Sequence, residues 1–402
     1  MTWQYIRIGD IGRVMTGDTP PKSQPDYYGS AFPFIKPTDM KVGQRYTLIC
    51  DEGYSDVAYE KYEKKLIPEG ATAVVTIGSI GQKLTLTHTP CFVNQAVNAV
   101  IPDSEKFDPK FVFYLLKHNL KLVKQADTGA SSGRENVSKS NFSSLQVYAT
   151  LDKHEQVRIG QALDSFDSAI ENNQRRIELL EESARLLYRS WFVGFRFPGA
   201  KDLKSISGVP TEWDMGSVEG LAATVNRGIT PRYDDSATGL VINQKCIRGG
   251  RLNLEPARRQ SKEVKEERLL RVGDVLINST GAGTLGRVAQ VRAPLLDCTV
   301  DTHVTIVRPR DPKTAAYLGV ALLEKEALLS TMGVGSTNQL ELLRADISAL
   351  PLVIPPEEVQ SAFHELVWPM FTQAESLALA NERLREARDA LLPKLMSGAL
   401  AV

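Results

Sequence analysis

A duplication at long period constrains this chain more than any other feature. Trp3 to Gly12 resembles Trp213 to Gly220, and Gly70 to Gly81 resembles Gly273 to Gly286. Asn94 to Pro102 resembles Asp301 to Pro309, and Leu145 to Gln156 resembles Leu350 to Gln360. The order of the matches is kept, and their offset stays between about 203 and 210 residues. Short glycine-rich pieces recur by chance, but four in order at one offset mark a repeat. The 402 residues therefore divide into two copies of one plan. Each copy opens with a block of about 150 residues, built of short β-branched runs such as Ala73 to Ile77 and Val275 to Ile277. Glycine and proline punctuate these runs. A long helix closes each copy.

Both helices carry a two-in-seven apolar seam. In the first it runs through Ile159, Leu163, Phe166, Ile170, Ile177, Leu180, Ala184, Leu187 and Trp191, with Asn173 in the one polar gap. In the second it runs through Phe363, Val367, Met370, Ala374, Leu377, Leu384, Leu391 and Leu395, with Asn381 and Arg388 as polar members. Spacing of 4,3,4,3 is the coiled-coil pattern. The stripe is too narrow to seat a helix in a broad core, so the natural mate of each helix is the other. The sequence thus predicts an α+β chain: two tandem globular domains and two long helices paired as an antiparallel coiled coil, with approximate twofold symmetry inside one monomer. The expected boundaries are 1–150 for the first globular domain, 151–197 for the first helix, 198–350 for the second domain and 351–402 for the second helix.

Composition excludes more than it identifies. Net charge is zero. The two globular blocks, residues 1–150 and 199–350, are each +2, and the helical stretches 151–198 and 351–402 are −1 and −3. Charge alone does not name a partner. No apolar run is long enough for a membrane span, and the N-terminus lacks the pattern of a secretory signal. Cys50, Cys91, Cys246 and Cys298 stand far apart, which argues against a zinc site or a disulfide framework. A cytoplasmic protein is expected.

Catalytic motifs are missing in the same way. Gly281 to Arg287 looks like a phosphate loop, but Arg287 stands where the lysine belongs and Val288 where a hydroxyl belongs; a tight strand–turn–strand is expected there. His88, His118, His154, His303 and His364 show no metal-ligand spacing. Asp301 with His303 could form an acid–base pair, but a structural role is expected. There is no methyltransferase motif and no convincing carboxylate–lysine nuclease cluster. No cofactor is expected to bind, and the chain is read as a non-catalytic subunit.

Polar loops at matching places in both copies remain. Arg, Lys, Asn, Gln, Ser and Thr are the side chains that read base edges or hold phosphates. The candidates for contact with double-stranded DNA in the first copy are Lys36, Thr38, Ser79, Gln82, Lys83, Arg134, Asn136 and Lys139. In the second they are Arg227, Arg232, Asn243, Gln244, Arg248, Arg251, Thr280, Arg287 and Asn338. Each alone could be an ordinary solvated loop residue; their recurrence in both copies is what favours binding.

Several runs carry a family resemblance. Gly129 to Ser138, Phe142 to Leu145, Gln156 with Ile159, Ile170 to Asn173 and Leu187 to Phe192 resemble the central region of specificity (S) subunits of type I restriction–modification systems. Gly17 to Pro20, Pro33 to Pro37 with Asp39, and Leu392 to Gly398 are similar to the ends of that family. The resemblance implies two target-recognition domains, each reading one half of a bipartite DNA site, and conserved helices that dock two methyltransferase subunits. It implies restriction subunits in the full complex. S-adenosylmethionine would belong to the methyltransferase, which modifies adenine, and ATP and magnesium to the ATP-dependent endonuclease. The second copy lacks an arginine matching Arg134, so that contact need not be shared. Two other classes compete. A single-chain nuclease or methyltransferase would need a further catalytic domain, for which the two repeats leave no residues. A coiled-coil scaffold with protein-binding heads would show no salt-sensitive DNA binding.

Overall fold

The computed structural model describes residues 2–127, 135–200, 205–206, 209–335 and 340–401. It contains two compact units. The first comprises residues 1–172 and 381–402, the second residues 173–380. Each unit therefore takes a stretch of both long helices.

The first unit is organised by a four-stranded antiparallel sheet in the order Gly12–Thr16, Val97–Pro102, Thr72–Val75, Leu84–Leu86. Every residue of Thr72–Val75 is buried, so its β-branched side chains are packed on both faces. The helix Pro109–His118 contacts this sheet and buries every residue from Phe111 to Leu116. Asp108 caps it, accepting the Phe111 N–H at 2.8 Å. A three-stranded sheet, Glu52–Tyr54, Tyr28–Ile35 and Phe92–Val93, has its last strand parallel to the middle one. A two-stranded ribbon joins Trp3–Arg7 to Gln146–Thr150.

The second unit repeats this plan strand for strand. Its four-stranded sheet has the order Ala222–Arg227, Val304–Pro309, Val275–Asn278, Val288–Gln290. Its three-stranded sheet is Arg258–Gln260, Gly239–Ile242 and Cys298–Val300, again with the last strand parallel. Asp214–Ser217 pairs with Pro351–Ile354. The repeat extends to single residues. Gly81 and Gly286 both have positive φ, at +73° and +77°. A Cβ on either would meet the backbone of a neighbouring helical segment, Leu120 O at 2.9 Å or Ser330 N at 2.4 Å, so only glycine fits both. Gln156 and Gln360 are both buried at the start of a long helix. Their amides donate to Thr150 O at 2.9 Å and Pro355 O at 2.7 Å.

The long helices span Lys153–Tyr188 and Glu357–Met396, 36 and 40 residues, about three times a mean helix. In each unit they lie side by side and antiparallel. In the first, Asn381 Nδ2 donates to Ile170 O at 3.2 Å, while Arg388, further along, pairs with Asp167, further back. In the second, Tyr188 and Trp191 contact the Phe363 ring with centroids 6.4 and 5.7 Å apart. Ile159, Leu163, Ile170, Ile177, Phe363 and Val367 are buried. Leu180, Leu187, Leu377, Leu384 and Leu391 are half-buried.

The predicted seam needs one adjustment on each helix. Phe166 and Met370 are only half-buried, and the adjoining Asp167 and Phe371 take the buried places. The α-helix turns at 3.6 residues and a strict heptad at 3.5, so the seam drifts and a step of three becomes a step of four. The second helix also runs through Pro369, which the heptad pattern ignores and which lies on the exposed face.

Candidate nucleic-acid interface

In the first unit the loops gather on the turn that joins Thr72–Val75 to Leu84–Leu86. Lys83 Nζ donates to Pro37 O at 2.7 Å and draws in the loop of Lys36 and Thr38. That loop is closed by Asp39, whose carboxylate accepts the Lys36 N–H at 2.8 Å. On the other side Ile77 bridges Asn136, and Gly78 N donates to Glu135 O at 3.1 Å. Lys139 opens the short helix Lys139–Ser144, capped by Ser138. Thr38, Ser79, Gln82 and Lys139 are exposed there. Lys36 is less free, pairing with Glu52 at 3.1 Å. Arg134 lies outside the described residues.

The second unit assembles the equivalent turn, Ser279 to Arg287. It connects two antiparallel strands, the strand–turn–strand expected in place of a phosphate loop. Thr280 bridges Glu341, the counterpart of the bridge from Ile77 to Asn136. Asn278 Nδ2 donates to Gln244 O at 3.0 Å, which brings Asn243 and Gln244 to the turn. Thr280 Oγ1 lies 2.7 Å from His303 Nδ1, and the buried Asp301 accepts the His303 N–H at 2.9 Å. Burial raises the Asp301 carboxyl from its ordinary value. Arg227 reaches the same place, pairing with Glu341 at 2.7 Å and donating to Leu342 O at 2.8 Å. Arg287 donates to Gly283 O at 2.8 Å and braces its own turn. Asn338 lies outside the described residues.

The remaining predicted arginines are elsewhere. Arg248 and Arg251 face each other across a two-residue ladder. Arg248 is exposed, but Arg251 is bound to Glu181 of the first long helix at 2.9 Å, so in this structure it fastens the globular part of the unit to the helix. Arg232 is exposed and adjoins a basic strand that loop matching between copies passed over. Ser261 N donates to Arg232 O at 2.9 Å, placing Arg232 beside Arg258, Arg259 and Lys262. The signal for that patch was the charge run itself, visible in the sequence from Arg258 to Lys262.

A second set of residues that the sequence did not single out holds the helices. Arg45 pairs with Asp164 and Glu171. Arg292 pairs with Glu181 at 2.7 Å and lies over the Phe371 ring at 3.8 Å. Burial pulls its guanidinium down from the ordinary value, and Glu181 opposes the shift. Burial pushes the thiols of Cys91 and Cys298 up to about 12, which makes them poor nucleophiles. Among the described residues no group of three or more His, Cys, Asp or Glu could hold a metal ion. None of the described helices is long and apolar enough to cross a membrane.

Comparison with known proteins agrees with this architecture. The sequence model of the type I restriction modification DNA specificity domain matches residues 1–182. The chain is 24% identical to the MjaIX specificity subunit of Methanocaldococcus jannaschii, over all of this chain and 94% of that protein. It is 28% identical to the HindI specificity subunit of Haemophilus influenzae, over 46% of this chain and 40% of that protein. The crystal structure of the type I restriction-modification system S subunit from M. genitalium matches with a TM-score of 0.65 at 16% identity, covering 98% of this chain and 96% of that one. That likeness is one of fold. With the duplicated plan and the paired helices, these matches make the chain similar along its whole length to specificity subunits of type I restriction–modification systems, with the DNA specificity domain matched over residues 1–182.

Proposed function

We propose that this chain directs a type I restriction–modification assembly to a bipartite DNA target, residues 1–150 reading one half and residues 198–350 the other. The helical stretches 151–197 and 351–402 would dock two methyltransferase subunits, and restriction subunits would complete the complex. The chain itself supplies recognition without catalysis, in the cytoplasm, and needs no cofactor; S-adenosylmethionine, ATP and magnesium would serve its partners. One observation carries this reading. The same strand plan occurs twice, and each copy gathers polar side chains on the same sheet-connecting turn, Ile77 to Lys83 and Thr280 to Arg287. Two separate readers on one chain suit two half-sites.

The test is exchange of residues 1–150 for the equivalent block of a relative, followed by mapping of methylated bases. One half of the target should change and the other stay. A change in both halves, or in neither, would favour the scaffold alternative.

The side chains divide by their free donors. Lys139 is exposed at the first turn and suits a phosphate. Lys139→Ala should weaken all sequences alike and reduce the slope of log K against log salt by about one. Arg232 and Arg248 are exposed in the second unit. If either reads a base, its truncation should cost about 1–3 kcal/mol and relax one position of one half-site. Titrations of the subunit with its methyltransferase partners, at several salt concentrations, separate the two behaviours. An unchanged slope for Lys139→Ala would remove it from the interface.

A further inference from the structure

Two buried cations of the second half of the chain find their carboxylates on the helix of the first half. Arg388 sits in the seam with its side chain 6% exposed, and its buried partner is Asp167, 5% exposed. Lys117 Nζ at 3.6 Å and the Tyr114 hydroxyl at 2.7 Å also converge on Asp167. Asp389 touches Arg388 at 2.8 Å, but from the exposed side. Arg292 is 4% exposed, and its ion pair is Glu181. Glu375, on the second helix, adds a weaker attraction to Arg292.

The repeat shows what another pairing would bring. At an offset of 204 residues, Glu181 corresponds to Arg385, Asp167 to Phe371, and Ala184 to Arg388. Were the second half to pair with another second half, Arg292 and Arg251 would meet Arg385 in place of Glu181. Arg388 would meet Phe371 in place of Asp167. Arg388 would keep only Asp389 on its exposed side, and Arg292 only the weaker attraction of Glu375 while gaining a like charge, an arrangement that burial penalises. A pair of first halves is disfavoured less. Asp167 would lose Arg388 and face Ala184 but keep Lys117 and Tyr114, and Glu181 would come beside Arg45.

We infer that Asp167 and Glu181 form a pairing code that admits the first half's helix as mate to the second half and refuses a second copy of the second half. The two helices share a seam, so two second halves offer one another a mate of the same pattern. Specificity between such similar mates has to come from an element that penalises the wrong one.

The experiment starts from the folded full chain with a protease site introduced at the exposed Gly199. Cleavage removes the covalent tie between halves. Light and isotope-heavy nicked preparations are mixed in mild urea until first-half fragments scramble, and native mass spectrometry counts the species. The wild type should show mixed complexes and no self-complex of the second half. Asp167→Phe with Arg292→Met and Arg388→Ala removes three of the buried charges, both cations of the second half among them, and should raise that self-complex at least about tenfold. Arg385→Glu, a change at an exposed position, hands the second half its own carboxylate. It should raise the self-complex as well, by less, with the mixed complex still formed. The inference is overturned if the wild type already yields the self-complex in comparable amount, or if neither variant raises it.

Discussion

Arg388→Ala should lower the stability of the first unit by about 3 kcal/mol, the low end of the cost of breaking a buried ion pair. The truncation leaves Asp167 in the seam, 5% exposed, without its arginine but with Lys117 and Tyr114 still attached; those two contacts are why the low end applies. Arg388→Ala combined with Asp167→Phe copies the apolar arrangement of the equivalent position in the second unit, where Ala184 and Phe371 are both buried. It should regain part of the loss, since an apolar replacement of a buried pair is often neutral, while Lys117 and the Tyr114 hydroxyl lose the acceptor they share. Urea unfolding followed by hydrogen exchange in residues 159–170 measures both. Equal loss in the single and double variants would mean that the ion pair matters for its shape and not its charge.

Phe363→Ala should be at least as damaging, about 3–5 kcal/mol in the second unit. Phe363 is fully buried, and its ring lies 4.9 Å from Phe192, 5.7 Å from Trp191 and 6.4 Å from Tyr188. Those three close the first helix, so the cavity would open at the place where the second helix is held. Three of the four tryptophans, Trp191, Trp213 and Trp368, belong to this unit, and their fluorescence reports its unfolding. A loss under about 1 kcal/mol would show that the rings close over the gap.

Much of this architecture was legible because duplication and heptad spacing are long-range patterns, robust to local ambiguity. The match of Gly70 to Gly81 with Gly273 to Gly286 anticipated two hairpins in one topology, and both form. The seam was right in its period and wrong by one residue at Phe166 and Met370, because periodicity does not say which of two adjacent residues turns inward. Asp167 was hidden for that reason: a carboxylate beside a phenylalanine looks like a solvated position until Arg388 is found opposite. Arg251 and Arg227 illustrate the converse. A sequence shows an arginine in a loop, but whether its guanidinium is already bound to Glu181 or Glu341 depends on residues far away in the chain. The base-reading contacts are the least legible, since loop side chains are shaped by the DNA they meet and not by a period.

The central claim is that one chain carries two separate readers. Its most direct test is sequencing of methylated bases in DNA from cells that hold the methyltransferase partner, with and without this chain. The expected result is a motif of two short defined halves around an unspecified spacer, present only with the chain. A single unbroken motif, or the same methylation without the chain, would contradict it.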